Sequence, residues 1–96
     1  MEVEFADDRL ALVRTDQATK TRLPIAVIIS LRDKLVVLEA AQDERVLRAW
    51  KSFHYEKLKG RDGERSIRLN RQWRLVFRIE GNPKPKIIVL RVEDYH

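Results

Sequence analysis

Hydrophobic and polar positions recur at two different periods in this chain, and the change from one to the other divides it near its middle. Met1, Val3 and Phe5 alternate with Glu2 and Glu4, which predicts a short strand with one buried face. Asp7 or Asp8 then stands where a helix cap belongs, ahead of a helical stretch to about Arg14 with Leu10 and Val13 as its apolar contacts. Thr15 to Thr21 is polar and reads as a loop. Pro24 suits the first turn of a second helix. Ile25, Ile28, Ile29, Leu31, Leu35, Val36 and Leu38 give that helix a wide apolar stripe up to about Ala41. The β-branched residues Ile25, Val27, Ile28 and Ile29 also permit a strand, but the pattern runs too long without a glycine, which favours helix. Asp43 to Trp50 reads as a short third helix or a turn.

Beyond this point the period becomes two. Ser52 to Leu58 is compatible with a strand on which His54 and Glu56 share a face. Lys59-Gly60-Arg61-Asp62-Gly63 reads as a turn whose two glycines are free to take positive φ. Glu64 to Leu69 alternates, with Ile67 and Leu69 facing one way and Arg65 out of step in polarity. Trp73, Leu75, Phe77 and Ile79 alternate more strictly. No central strand continues through Gly81-Asn82-Pro83-Lys84-Pro85, so a turn falls there, and Lys86 to Val92 is the last strand. The order is strand, helices, then an antiparallel meander. It predicts an α+β fold over residues 1–96 as one domain: a short N-terminal strand and two helices packed on one face of a mainly antiparallel twisted sheet.

If the two central strands form a hairpin, pairing Leu69 with Trp73 across a three-residue loop sets Ile67 opposite Leu75, all four facing the helices. The same register sets Arg68 opposite Arg74 on the open face, with Arg78 extending the stripe. Like charges directly opposed on a sheet destabilise it. A fold accepts such a pair more readily when an anion sits between them. The planar arginine fork, which donates two parallel hydrogen bonds, suits a phosphate.

Charge sharpens this picture. The chain carries a formal net charge of +5. Residues 1–50 hold eight Lys or Arg against nine Asp or Glu, net −1, and residues 51–96 hold twelve against six, net +6. The whole excess lies in the half that contains the arginine stripe, which points to a polyanion, most simply nucleic acid. Exposed cations Lys51, Lys57 and Arg61 read as a diffuse electrostatic surface for RNA. The absence of cysteine excludes disulfides and thiolate metal sites. The longest apolar stretch, Ile25 to Ile29, is too short to span a bilayer, and Met1 to Asp8 is acidic, unlike a signal peptide, so a cytoplasmic protein is the expectation. Carboxylate, phenol and imidazole side chains stand in a row at Asp94-Tyr95-His96, and the only other histidine is His54.

Four segments in order carry a resemblance: Leu58-Lys59-Gly60, Ser66-Ile67-Arg68-Leu69-Asn70, Trp73-Arg74-Leu75-Val76-Phe77 and Asp94-Tyr95-His96. As an ordered set they resemble the HigB (plasmid maintenance killer) branch of the RelE-like toxins. The resemblance implies the toxin of a type II toxin–antitoxin pair, a metal-free and cofactor-free endoribonuclease that cleaves mRNA on the ribosome. In that chemistry the substrate's own 2′-hydroxyl attacks the adjacent phosphate and a 2′,3′-cyclic phosphate remains. A base must take the 2′-hydroxyl proton, an acid must protonate the leaving oxygen, and a cation must stabilise the phosphate. Carried over residue by residue, Lys59 and Arg74 would bind and stabilise the phosphate, Asp94 and His96 would handle protons or hold the sugar and base, and Tyr95 would stack on a base or donate a hydrogen bond. Either His54 or Glu56 could supply the upstream site residue, and Arg68, Lys57, Arg61 and Arg78 would follow the RNA backbone. The implied partners are a cognate antitoxin, of the helix-turn-helix HigA-like kind, and the ribosome with its mRNA, with no membrane. Two other readings belong to the same fold: a non-enzymatic toxin of the gyrase-poison kind, and an inactive relative that only binds its antitoxin, as it would if Glu56 paired with Lys59.

Overall fold

A computed structural model describes residues 1–94. Five strands form one sheet: β1 Glu2–Phe5, β2 Glu56–Lys57, β3 Arg65–Arg68, β4 Trp73–Glu80 and β5 Lys86–Asp94. Their order across the sheet is β1-β5-β4-β3-β2, with β1 parallel to β5 and every other pairing antiparallel. The helices α1 Ile25–Ala40 and α2 Glu44–Ala49 join the core on one face, and single 3₁₀ turns occupy Leu10–Arg14, Ala18–Thr21 and Lys51–Phe53. The α+β layout expected from the sequence is therefore the one adopted.

Pro24 starts α1, its carbonyl accepting from the backbone of Val27 and Ile28 at 3.0 Å each. Val27, Ile28, Leu31, Leu35 and Leu38 are buried against the sheet. The stripe is narrower than the sequence suggested: Ile25, Ile29 and Val36 are 72%, 55% and 64% exposed. A helix with one neighbouring layer buries only about 100° of its circumference, and these three lie outside that arc. At the far end, the Met1 amine donates to the carbonyls of Leu38 (3.2 Å), Glu39 (2.9 Å) and Ala41, meeting acceptors that a helix leaves unpaired at its C-terminus. The helix expected to about Arg14 is a 3₁₀ turn with Arg9, not an aspartate, at its N-cap; Asp7 accepts from the backbone of Arg9 at 2.8 Å just ahead of it. Asp43 caps α2 through Arg45 N at 2.9 Å.

The central hairpin has the expected register, Ile67 opposite Leu75 and Arg68 opposite Arg74, closed by Leu69 N to Trp73 O at 2.8 Å. Asn70 Oδ1 holds the turn, accepting from the backbone of Gln72 (2.8 Å) and Trp73 (2.9 Å). Arg65, out of step in polarity, points with Ile67 to the helix side and finds its partner there: its Nε donates to Glu44 of α2 at 3.1 Å.

Two features depart from expectation. The strand anticipated over Ser52 to Leu58 is reduced to the two residues of β2, because a 3₁₀ turn precedes it and His54 takes a left-handed backbone, φ 46°. His54 and Glu56 therefore do not share a strand face. The last strand also runs two residues further than Val92 and carries a bulge: Phe77 pairs with Val89 but Val76 pairs with Arg91, leaving Leu90 unmatched. A bulge reverses which face later side chains take. Ile87 and Val89 lie in the core before it, whereas Arg91 and Glu93 fall opposite Val76 and Arg74 after it, on the face away from the helices.

Candidate active site

The loop between β2 and β3 curls over the helix-free face of the sheet. Its base is closed by Leu58 N to Glu64 O at 2.9 Å, and Gly60 and Gly63 turn it with φ of 74° and 71°, as their sequence context required. Beneath it lies a cavity of about 240 Å³ lined by Leu58 and Arg61 of the loop, Ser66 of β3, Arg74 and Val76 of β4, and Glu93 and Asp94 of β5.

Arg74 is part of that lining and is only 4% exposed, whereas the sequence placed it on an open face. The covering loop accounts for the difference. A buried guanidinium needs acceptors. Nε of Arg74 donates to Ser66 Oγ at 2.9 Å and Nη2 to the His54 carbonyl at 2.6 Å. The left-handed turn at His54 is what aims that carbonyl inward. Arg68, directly opposite Arg74, goes elsewhere: its Nη1 lies 3.3 Å from His54 Nε2. Both opposed arginines thus meet His54, Arg74 at its carbonyl and Arg68 at its ring, and the two charges splay apart around it.

Asp94 stands at the open end of the cavity, with Oδ2 accepting from Gln72 Nε2 at 3.0 Å. Lys59 lies on the covering loop and Lys57 at the end of β2, both exposed, and neither forms an ion pair among the described residues. The Glu56–Lys59 pairing that would mark an inactive site does not occur among them. Arg61 is not the open cation expected: its Nη1 donates to Glu93 Oε1 at 2.7 Å. Arg78 is exposed, 3.3 Å from Glu80, and outside the cavity. Tyr95 and His96 lie outside the described residues.

Several contributors were not singled out from the sequence. Ser66 was visible only as the first letter of Ser-Ile-Arg, and Glu64, Arg91 and Glu93 had no signal because the bulge that gathers them is not legible in the alternation. Glu93 is held ionised: burial would raise its carboxyl, but hydrogen bonds from Arg91 and Arg61 outweigh this and lower it. Among the described residues no group of three or more His, Cys, Asp or Glu is placed to hold a metal ion.

A small α+β domain with a curled hairpin loop over a basic, helix-free sheet face is a fold shared with known toxins. The solved YoeB/ParE toxin from Agrobacterium tumefaciens superposes over the whole of both chains with a TM-score of 0.67 at 16% identity, a likeness of fold. In sequence, residues 3–96 match the family of HigB-like toxins, described as the RelE-like toxin of type II toxin–antitoxin system HigB. Toxin HigB-1 of Vibrio cholerae serotype O1 is 37% identical over 78 residues, covering 80% of this chain and 82% of that protein. The chain belongs to the HigB-like toxins of the RelE superfamily. That membership implies an antitoxin partner. No helix among the described residues is long and apolar enough to cross a membrane.

Proposed function

We propose that this toxin is a metal-independent endoribonuclease that cuts mRNA on the ribosome, in the cytoplasm, and that a helix-turn-helix antitoxin of the HigA kind restrains it. One observation carries the reading: a single cavity on the basic face brings Arg74 and Asp94 together under the loop that bears Lys59. In this scheme a backbone phosphate enters the cavity beside Arg74. The guanidinium, oriented by Ser66 and the His54 carbonyl, stabilises charge that builds on the non-bridging oxygens as the 2′-hydroxyl attacks phosphorus. Lys59 adds a second positive charge from the loop. The 2′-proton goes to a general base and the leaving 5′-oxygen receives one from a general acid. Asp94, with His96 two residues on, supplies these groups, and Tyr95 stacks on a base. Lys57 and Arg68 flank the path of the RNA strand, with Arg78 more distant along β4.

The competing reading is a toxin that acts by binding alone. It draws on the same arginine, since Arg74 already serves the fold through Ser66 and the His54 carbonyl. Expression of the wild-type chain, of Arg74→Ala and of a chain ending at Glu93 separates the two. The ribonuclease reading expects growth arrest with cut mRNA for the wild type and neither for the two folded variants. Arrest with intact mRNA would establish the binding reading instead.

A further inference from the structure

Four charged side chains form a closed ring on the helix-free face, and only Arg61 among them carried any expectation from sequence. Arg61 Nη1 lies 2.7 Å from Glu93 and 4.0 Å from Glu64. Arg91 donates from Nε to Glu93 at 2.6 Å and from Nη2 to Glu64 at 2.5 Å. Arg61 belongs to the covering loop, Glu64 to the foot of β3, and Arg91 and Glu93 to β5 beyond the bulge. Because β4 lies between β3 and β5, with strands ~4.8 Å apart, the ring spans two strand spacings. It does so over Val76, which pairs with Ser66 on one side and Arg91 on the other and is 1% exposed.

Apart from Arg65 Nη1, which donates to the Gly63 carbonyl at 2.8 Å, little else fastens the loop. Lys59 to Gly63 is exposed throughout, and Leu58 is the only apolar side chain it brings to the cavity. Glycines with positive φ stand near both ends of it. Its backbone bonds, Leu58 N to Glu64 O and Glu64 N to Arg61 O, shape the loop itself but do not attach it to β4 or β5. Carboxylates on a face that receives a polyanion weaken its binding by repulsion, so Glu64 and Glu93 fit a hold on the protein better than a contact with RNA. Arg91 has both its Nε and Nη2 engaged by them, and a ring of four charges holds better than isolated surface pairs.

We propose that Glu64 and Arg91 are positioning residues, which with Arg61 and Glu93 clip the loop down over the cavity and set Lys59 in place against Arg74. The catalytic part of this inference rests on the ribonuclease reading above. The bulge at Leu90 is what makes the clip possible, since without it Arg91 would face the helices.

The test uses the full chain with Glu64→Gln, Arg91→Met and Arg91→Lys, and with Glu39→Gln, whose partner is Arg14 on the other side of the molecule, as a control. Hydrogen exchange of the amides at 58–64 is measured without RNA, and kcat and KM on ribosome-bound mRNA are measured separately. Glu64→Gln and Arg91→Met are expected to speed loop exchange about tenfold while the amides of β4 keep their protection. The same variants are expected to lower kcat about tenfold or more with KM changed less than about threefold, as for a displaced catalytic group. Arg91→Lys, which keeps the charge, retains most of both. Unchanged loop exchange in Glu64→Gln overturns the clip. Faster loop exchange with unaltered kcat overturns its role in positioning. A wild-type chain with a protected loop that leaves mRNA intact overturns the ribonuclease reading, and the positioning role with it.

Discussion

Glu44 gathers three donors onto one carboxylate oxygen, and removing its charge tests how the helix layer is tied to the sheet. Tyr55 Oη, Arg65 Nε (3.1 Å) and Arg48 Nη2 (3.0 Å) all donate to Oε1, and Arg65 continues from Nη1 to the carbonyl of Gly63 at 2.8 Å. The network therefore links α2 to β3 and to the loop over the cavity. Burial works to raise the Glu44 carboxyl, but the Tyr55 and Arg65 hydrogen bonds and the charges of Arg65 and Arg48 prevail and hold it down from 4.5 to about 2. Burial and the Glu44 anion push the Tyr55 phenol up to about 12, so it stays a donor. Unscreened, such a carboxylate shift corresponds to ~3 kcal/mol. The Glu44 side chain is 26% exposed, and solvent screening brings the expected contribution to about 1–2 kcal/mol. Because the folded value is depressed, this stability is fully present above the ordinary carboxylate value of 4.5 and is lost as pH falls towards about 2. Urea unfolding of the wild type and Glu44→Gln at about pH 7 should differ by about 1–2 kcal/mol, equivalent to roughly 4–15 °C in Tm for a chain of this size. At about pH 2.5 the gap should be much reduced, because the carboxyl is then protonated in the unfolded chain and the pH lies close to the folded value of about 2. A gap of the same size at both pH values would refute the electrostatic account and leave only shape and packing at position 44.

Three further outcomes follow from the packing. Ser66→Ala removes the acceptor of a buried Arg74 Nε–H, so it should cost about 1–3 kcal/mol in denaturant unfolding and also slow mRNA cleavage, although the cation itself remains. Leu31→Ala should cost about 2–5 kcal/mol, whereas Ile29→Ser, on the exposed side of the same helix, should fall within about 0.5 kcal/mol of wild type; equal losses would mean that α1 is rotated from the position described. Gly81 has φ of 104°, and an added Cβ would lie 2.5 Å from the Lys84 carbonyl oxygen, so Gly81→Ala should destabilise by about 1–3 kcal/mol, read as a lower Tm.

The central hairpin was legible because Trp73, Leu75, Phe77 and Ile79 leave one register that buries them, and a slip of one residue would expose them all. α1 was legible in extent but not in width: composition marks Ile25, Ile29 and Val36 as apolar without saying how many layers are there to cover them. The segment around His54 misled because Phe53 and Tyr55 alternate with polar neighbours as a strand would, while the left-handed turn between them leaves no mark on polarity. Arg74 was expected as a site residue from the resemblance, and its opposition to Arg68 followed from register. Its burial was not, since that depends on a loop folding back across two strands and on a bulge at Leu90 that brings Arg91 and Glu93 round to meet it. Long-range charge pairs of this kind have no periodic signature.

The central claim is that the RNA's own 2′-hydroxyl is the nucleophile in a cavity organised by Arg74. The most direct measurement uses ribosome-bound mRNA carrying a single 2′-deoxynucleotide immediately 5′ of the scissile phosphate, compared with the all-ribose message. The account predicts that the ribose message is cut to a 2′,3′-cyclic phosphate end and that the deoxy message stays whole at that position. Equal cutting of both messages would contradict it.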